Sequence, residues 1–330
     1  MNWKPLPNHY SVSDYHTTNP ACRRQGYGWF IWLYYMILHT PVLLHEVCSF
    51  LHPESNLIVD CTLWHWGHAM ALLAIAKEAK LIGFDVDELM IEKAKLQIGT
   101  RDKEQGTRNV ERMEYTHGNY SDIKNVLGER KADFILNDLG VNLEHFKAVE
   151  RGFSIRGVAP LDMRFDTSQG PTAADIVNSY TTEQLSSLFE QYADFSAAKA
   201  LELAKHIVTT RKQHPIVTTQ DFKTVLNACG LWDKACTVIF QAVRIETNHE
   251  LDNLQKFLSV FPEVLNSSWR CLVITYHSIE DRLVKQAFNV LAATWNYQLL
   301  SKKAIKPNYK EVAVNRAARS AKLRAIELRI

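Results

Sequence analysis

The 330-residue chain is 46% hydrophobic and 22% charged, the make-up of a soluble globular protein with one large domain or two smaller ones. Its six cysteines (22, 48, 61, 229, 236 and 271) form no Cys-x-x-Cys pair, which argues against a zinc ribbon or a disulfide framework and for free thiols in a reducing compartment. The net charge of +2 conceals a division. Residues 301–330 carry five Lys and four Arg against two Glu, a balance of +7, so the first 300 residues sum to −5; such a tail is either solvated or a contact for a polyanion such as nucleic acid.

In chain order, residues 1–35 are rich in Asn, Pro, Tyr and Ser without periodicity and predict a poorly ordered extension, with Met36 as an alternative start just before the first regular element. Residues 29–38 are apolar, but a membrane span needs about 20 such residues. No small-x-small cleavage pattern follows Arg23 and Arg24, so neither an anchor nor secretion is expected. Leu43, Leu44, Val47, Phe50 and Leu51 have helical spacing. A buried strand follows over 57–60, then the turn Cys61-Thr-Leu-Trp-His-Trp-Gly-His68 and a helix over about 69–80. A second strand spans 81–85, and Asp87 is placed to cap a helix running to about Ile98, with a polar loop over 99–110. A third strand near 112–116, a short helix capped by Ser121 and ending near Leu127, and a fourth strand over 132–138 complete the alternation, the pattern of a doubly wound α/β sheet.

That pattern then stops. Residues 141–170 read as irregular, and from Pro171 to about Val238 the chain reads as helices only, with capping-box spacing at Thr172-x-x-Asp175 and Thr181-x-x-Gln184 and a terminator at Gly230. One long helix is expected over about 237–258. A buried strand over 270–275, a helix capped by Ser278-x-x-Asp281, and closing strands over 297–300 and 323–328 resume the α/β pattern. The expected division is an extension over 1–35, an α/β core over 36–140 and 239–330, and an inserted all-helical unit over 141–238.

Three predicted strands end in an acid: Asp60, Asp85 and Asp138. Adjacent carboxyl ends of a parallel sheet line one crevice, so the three acids point either to a ligand site or to local turn and cap chemistry. Asp85 stands where a ribose diol is held, Asp60 where a turn is capped or an amine met, and Asp138 where a reacting group sits. The dinucleotide fingerprint Gly-x-Gly-x-x-Gly and a P-loop are both absent after the first strand, which disfavours a nicotinamide oxidoreductase and leaves a nucleoside ligand without a cradled pyrophosphate, such as S-adenosylmethionine. The block Glu150–Gly170 is dense in Arg, Gly and aromatics: Arg151, Arg156 and Arg164 suit phosphates and Phe153 suits base stacking, or the block is a linker held by Arg–Asp pairs. His65 and His68 lack a third ligand, so no metal is expected. His277 follows a buried strand and reads as a helix N-terminus or as a proton acceptor.

Several segments, in order, resemble the bacterial 16S rRNA cytosine-N4 methyltransferase family (RsmH/MraW). They are His39-Thr-Pro-Val-Leu-Leu-His-Glu-Val47, Asp138-Leu-Gly-Val141, Glu150-Arg-Gly-Phe-Ser154, Pro160-Leu-Asp-Met-Arg164, Ser168-Gln-Gly170, Phe240-Gln-Ala-Val-Arg-Ile245, His277-Ser-Ile-Glu-Asp-Arg282 and Arg319-Ser-Ala-Lys-Leu-Arg324. The resemblance implies a Rossmann-like S-adenosylmethionine-dependent methyltransferase with an inserted helical domain, acting in the cytoplasm on a cytidine in the decoding region of 16S rRNA within the small ribosomal subunit; it implies no membrane and leaves a homo-oligomer open. By position it puts cofactor contacts on Trp66, Gly67, His68, Asp85, Tyr120, Asp138 and His145. Asp138, and more weakly His277, are the expected catalytic groups, and Arg151, Arg156, Arg164, Arg319 and Lys322 the expected RNA contacts. Two departures stand out. The family's turn reads approximately Gly-Thr-x-Gly-x-Gly-Gly-His, and this chain has Cys61, Trp64 and Trp66 for three of those glycines; His145 stands where the family has a polar amide. The second expectation is therefore a ribosome-binding homologue with impaired or lost methyl transfer, Trp64 and Trp66 occupying the cofactor loop.

Overall fold

A computed structural model describes residues 41–63, 66–140, 145 and 148–329; the extension over 1–35, Met36 and Trp64 lie outside them. After the short helix α1 (Leu44–Ser49) come β1 (Leu57–Asp60), α2 (Gly67–Ile75), β2 (Lys80–Asp85), α3 (Glu88–Gln105), β3 (Met113–His117), α4 (Ile123–Leu127) and β4 (Ala132–Asp138). Five helices follow without a strand: α5 (Ala173–Ser179), α6 (Thr182–Ala193), α7 (Ala197–Arg211), α8 (Thr219–Ala228) and α9 (Asp233–Thr247). Then come α10 (Glu250–Val264), β5 (Leu265–Thr275), α11 (Ser278–Ala292), β6 (Tyr297–Leu299), α12 (Tyr309–Val314) and β7 (Lys322–Leu328).

The seven strands form one sheet in the order β3-β2-β1-β4-β5-β7-β6. β1 to β5 are parallel and β7 runs antiparallel between β5 and β6. This is the Rossmann-like architecture expected. β1 pairs β2 on one side and β4 on the other, so the chain reverses its winding at β1, the place where an open α/β sheet leaves a crevice. Asp60 sits opposite Leu136 and Asp138 opposite Ile274, which brings these strand ends level.

The strands are apolar throughout because both faces are covered. Ile58, Phe134 and Leu136 pack with Leu43, Leu72 and Leu73 of the α1–α2 side. Val59, Ile82 and Ile135 face Phe257, Phe261 and Phe288 of α10 and α11. A separate cluster around Leu188, Phe189, Leu203 and Phe222 forms the helical unit and reaches into α9 as far as Val243.

Several boundaries differ from those expected, each for a local reason. α2 ends at Ile75, and Lys80 already belongs to β2. α3 continues past Ile98 to Gln105 because buried Asp102 gives its carboxylate to Thr107, Asn109 and the Val110 amide, tying the helix end to the next turn; Gly106, at φ 66°, ends it. Asn119, not Ser121, caps the turn before α4, accepting from the Ser121 amide. The single helix expected over 237–258 is two, α9 and α10, broken at Asn248–His249 where His249 has φ 50°. His277 and Glu280, not Ser278 and Asp281, form the capping box of α11; Asp281 instead holds Lys322 at 2.9 Å and Arg324 at 2.7 Å. The capping boxes at Thr172 and Thr181 and the terminator at Gly230 are present as read.

Candidate active site

The three strand-end acids lie close to one another but do different things, and only Asp85 of the three lines the cleft beside them. Asp60, 2% exposed, turns inward and accepts from the Thr62 amide at 3.2 Å, so it caps the turn after β1. Burial, and the charges of Asp138 and Asp85, push its carboxyl well above the ordinary range. Asp85 accepts from the Asp87 amide through Oδ1 at 2.9 Å, while its Oδ2 is buried without a hydrogen-bond partner. Burial raises this carboxyl to about 7. An orphan acceptor of this kind is costly unless a ligand hydroxyl reaches it. It opens on a cleft lined by Asp85, Val86, Gly118, Asn119, Tyr120 and Leu139 on the sheet side, and by Phe165, Asn248 and Glu250 opposite. Tyr120 stacks edge-on against Phe257 with ring centroids 5.6 Å apart, which fixes it as one wall.

Asp138 ends β4 8% exposed. The Tyr276 hydroxyl donates to its Oδ1 at 2.8 Å, and its backbone amide donates to Thr62 Oγ1 at 3.0 Å. His68 Nε2–H donates to the Val42 carbonyl at 3.0 Å, which aims Nδ1 at Asp138 Oδ2, 3.7 Å away. Burial raises the Asp138 carboxyl to about 7; the Tyr276 hydroxyl works against this and the charge of Glu280 adds to it. A carboxylate poised there can accept a hydrogen bond from an amine and take up its proton at neutral pH.

The loop before α2 is built around a close approach. A Cβ at Gly67 would meet Pro41 Cγ at 2.3 Å, so only glycine fits. Trp66 caps α2 at φ 44°, the left-handed conformation that favours the glycine of the family pattern. Its indole packs against the α1–α2 core. The expected obstruction of the crevice by Trp66 thus gives way to core packing; Trp64 lies outside the described residues.

His145 is drawn into a hub behind the crevice. Its Nε2 lies 3.0 Å from Asp87 Oδ2, and Arg151 reaches the same oxygen at 3.2 Å while also donating to the carbonyls of Arg164 and Phe165. Burial opposes the charge of Asp87, but His145 and Arg151 outweigh it and hold the carboxyl below its ordinary range. The rings of His145, Phe153 and Phe165 lie nearly parallel, with centroids 5.1–5.6 Å apart. The expectations for this block change accordingly. Phe153 is 5% exposed and stacks on protein rings. Arg151 holds Asp87. Arg164 grips Asp162 through two nitrogens, at 2.9 and 2.8 Å. Arg156 alone of the three is exposed.

Elsewhere, His277 serves as the cap of α11 with Nε2 3.0 Å from Glu280 Oε1. Lys322 is committed to Asp281, whereas Arg319 is exposed. Among the described residues no group of three His, Cys, Asp or Glu could hold a metal ion, and no helix is long and apolar enough to cross a membrane. Sequence reasoning missed Tyr276, Asn248 and Asp87 as site residues. Tyr276 carried a signal: it is the first residue after a buried strand, the logic that found the acids. Asn248, which donates to the Met163 carbonyl and accepts from the Phe165 amide, carried none.

Known proteins resemble this chain along most of its length. The chain is 39% identical over 299 residues to the ribosomal RNA small subunit methyltransferase H of Elusimicrobium minutum, covering 88% of this chain and 98% of that protein. It is 36% identical over 299 residues to the enzyme of the same name from Pseudothermotoga lettingae, covering 88% and 99%. An rRNA methylase of Streptococcus thermophilus of known structure superposes with a TM-score of 0.41 at 9% identity, over 87% of this chain and 94% of that one. The profile of the MraW methylase family matches residues 36–329, so the α/β core, the helical unit and the crevice between them all fall within the match, and the chain belongs to the MraW methylase family.

Proposed function

We propose that the crevice at the ends of β1, β2 and β4 binds S-adenosylmethionine and that the protein methylates N4 of a cytidine in the decoding region of small-subunit rRNA, within the small subunit and in the cytoplasm. The observation that carries this reading is Asp85: a buried carboxylate oxygen without a partner, at the end of the second strand, on a cleft walled by Tyr120 and Phe165. It fits a ribose hydroxyl. The bound cofactor supplies a methyl group on a sulfonium, and such a transfer needs positioning and exclusion of water more than a nucleophile.

The residues then divide the work. Asp85 holds the ribose and Tyr120 walls the nucleoside. Asp138 accepts a hydrogen bond from the exocyclic amine, whose lone pair is otherwise delocalised into the ring, and takes its proton at or after transfer. The target base must leave its stack to reach Asp138. The helical unit over 141–238 and the exposed cations Arg156 and Arg319 face the RNA. Loss of methyl transfer through Trp66 finds no support, since the indole packs on the core.

The test is direct. The full chain, incubated with small subunits and labelled S-adenosylmethionine, is expected to yield N4-methylcytidine on digestion of the rRNA and mass spectrometry. Absence of methylated nucleoside from both subunits and free rRNA, together with no heat of cofactor binding by calorimetry, would overturn the reading.

A further inference from the structure

We propose that Tyr276 is the positioning residue of Asp138: its phenol holds Oδ1, which favours the charged form of the carboxylate and leaves Oδ2 for the incoming amine. The proposal rests on the functional reading above and extends it to a residue outside the expected site.

Four features carry it. The hydroxyl donates to Oδ1 at 2.8 Å, across 138 positions of sequence. Tyr276 follows directly on β5, whose Ile274 is in register with Asp138 and whose carbonyl accepts from the Leu139 amide at 2.9 Å, so the two strand ends cannot slide apart. The Tyr276 backbone is pinned by its own amide, which donates to Glu280 Oε2 at 2.8 Å; the next amide donates to the same oxygen at 3.2 Å. Glu280 is itself buried and is kept charged by His277, those amides and Arg244. Finally, burial and the nearby Asp138 raise the phenol far above its ordinary range, so it stays protonated and only donates to the carboxylate.

Among the described residues, the groups that face Asp138 are Tyr276 from the end of β5, His68 from α2, Thr62 and the carboxyl of Asp60 from the turn after β1, and Glu280 from α11. Of these, only Tyr276 has a side chain that donates to Oδ1 among the described residues. Removing it takes away the hydrogen bond that favours the charged form, so Asp138 must titrate higher.

The experiment is Tyr276→Phe in the full-length protein, read in two ways. In the ligand-free protein, carbon-13 NMR of labelled aspartate carboxyls is expected to show Asp138 titrating about one unit higher than in the wild type. In methylation assays on small subunits, kcat is expected to fall roughly 10- to 100-fold with KM for S-adenosylmethionine unchanged, and the acid limb of the pH–rate profile to move up by the same interval. Unchanged titration and an unmoved acid limb would overturn the proposal, whether or not kcat falls. Asp138→Asn, alone and with Tyr276→Phe, supplies the second arm: the double variant should be no slower than Asp138→Asn, and additive losses would refute action through Asp138. A wild-type protein without methylation would defeat the functional reading itself; an active wild type with an indifferent Tyr276→Phe defeats only this inference.

Discussion

Gly67 approaches Pro41 so closely that a Cβ placed on it would lie 2.3 Å from the proline Cγ. The pair locks the turn after β1 to the segment that leads into α1, and His68 next to it is tied to the same segment through the Val42 carbonyl. A proline ring, closed onto its own backbone, yields less than a flexible side chain. Gly67→Ala is therefore expected to destabilise the protein by about 1–3 kcal/mol, the usual cost of overpacking, and to weaken S-adenosylmethionine binding through the displaced turn. Urea unfolding and calorimetry check both, and an alanine variant as stable as the parent would contradict the geometry.

Trp66 makes the opposite case. Its left-handed backbone would suit glycine, which favours Trp66→Gly, but its indole is packed on the core, which opposes it. Packing should win, since losing a large aromatic costs about 3 kcal/mol or more and a left-handed residue about 1–2 kcal/mol. The expected result is a protein less stable by about 1–2 kcal/mol with no gain in cofactor affinity. A tenfold gain measured by calorimetry would show that the indole reaches the crevice after all.

Asp85 sets a pH dependence. Burial raises its carboxyl to about 7, above the unfolded value of about 3.9. A group raised on folding contributes stability that is full below the unfolded value and is lost as pH rises through the folded one. Asp85→Asn removes that loss. The ligand-free variant should be more stable than the parent at pH 8, by up to about 4 kcal/mol, with the advantage shrinking toward pH 4, while its cofactor affinity falls at least tenfold. Thermal unfolding between pH 4 and 9 decides the first point; a pH-independent difference would count against it.

The Asp87 hub has the reverse sign. His145 and Arg151 hold this carboxyl below its ordinary range, so its contribution is present above about pH 3.9 and is lost as pH falls through the depressed value. Arg151→Ala should cost about 3 kcal/mol at neutral pH, because a buried carboxylate loses its cation and the Phe165 segment loses two hydrogen bonds. Acid unfolding, followed by circular dichroism, should begin at higher pH than in the parent. Loss of RNA affinity without loss of stability would instead make Arg151 an RNA contact.

The C-terminal cations divide into two sets. Lys322 and Arg324 are held by Asp281, whereas exposed Lys302, Lys303, Lys306, Lys310, Arg316 and Arg319 have no ion pair among the described residues. Arg316→Ala and Arg319→Ala should each weaken binding to small subunits and lower the salt slope of log K by up to about one. Lys322→Ala should chiefly affect stability. Filter binding across 50–300 mM salt separates the sets, and a slope unchanged by Arg319→Ala would remove that residue from the interface.

Much of the fold is legible in the sequence, and the reasons are local. β4 over 132–138, the capping boxes at Thr172 and Thr181, and the stop at Gly230 depend on neighbours a few residues away. The errors came where a distant partner overruled a local pattern. The helical periodicity through 237–258 is continuous, yet the chain breaks at Asn248 because its amide binds Met163 and Phe165, more than eighty residues earlier. Ser278-x-x-Asp281 has good capping spacing, but Lys322 and Arg324 claim Asp281, and the box forms one residue earlier.

The candidate site shows the same boundary. The sequence by itself determined that Asp60, Asp85 and Asp138 end three buried strands, since strand periodicity and its termination are written in adjacent residues. Through its family motifs it also marked the turn after β1 as the expected cofactor turn. Only the tertiary structure decided what each acid does: Asp60 caps its own turn, Asp85 leaves an oxygen open to the cleft, and Asp138 is held by Tyr276. It likewise decided that Arg151 and Arg164 hold protein carboxylates while Arg156 stays exposed. The physical reason is that a charged or polar side chain takes whichever partner the sheet order and the packing of the helical unit bring within about 3 Å, and that distance is set by elements a hundred residues apart.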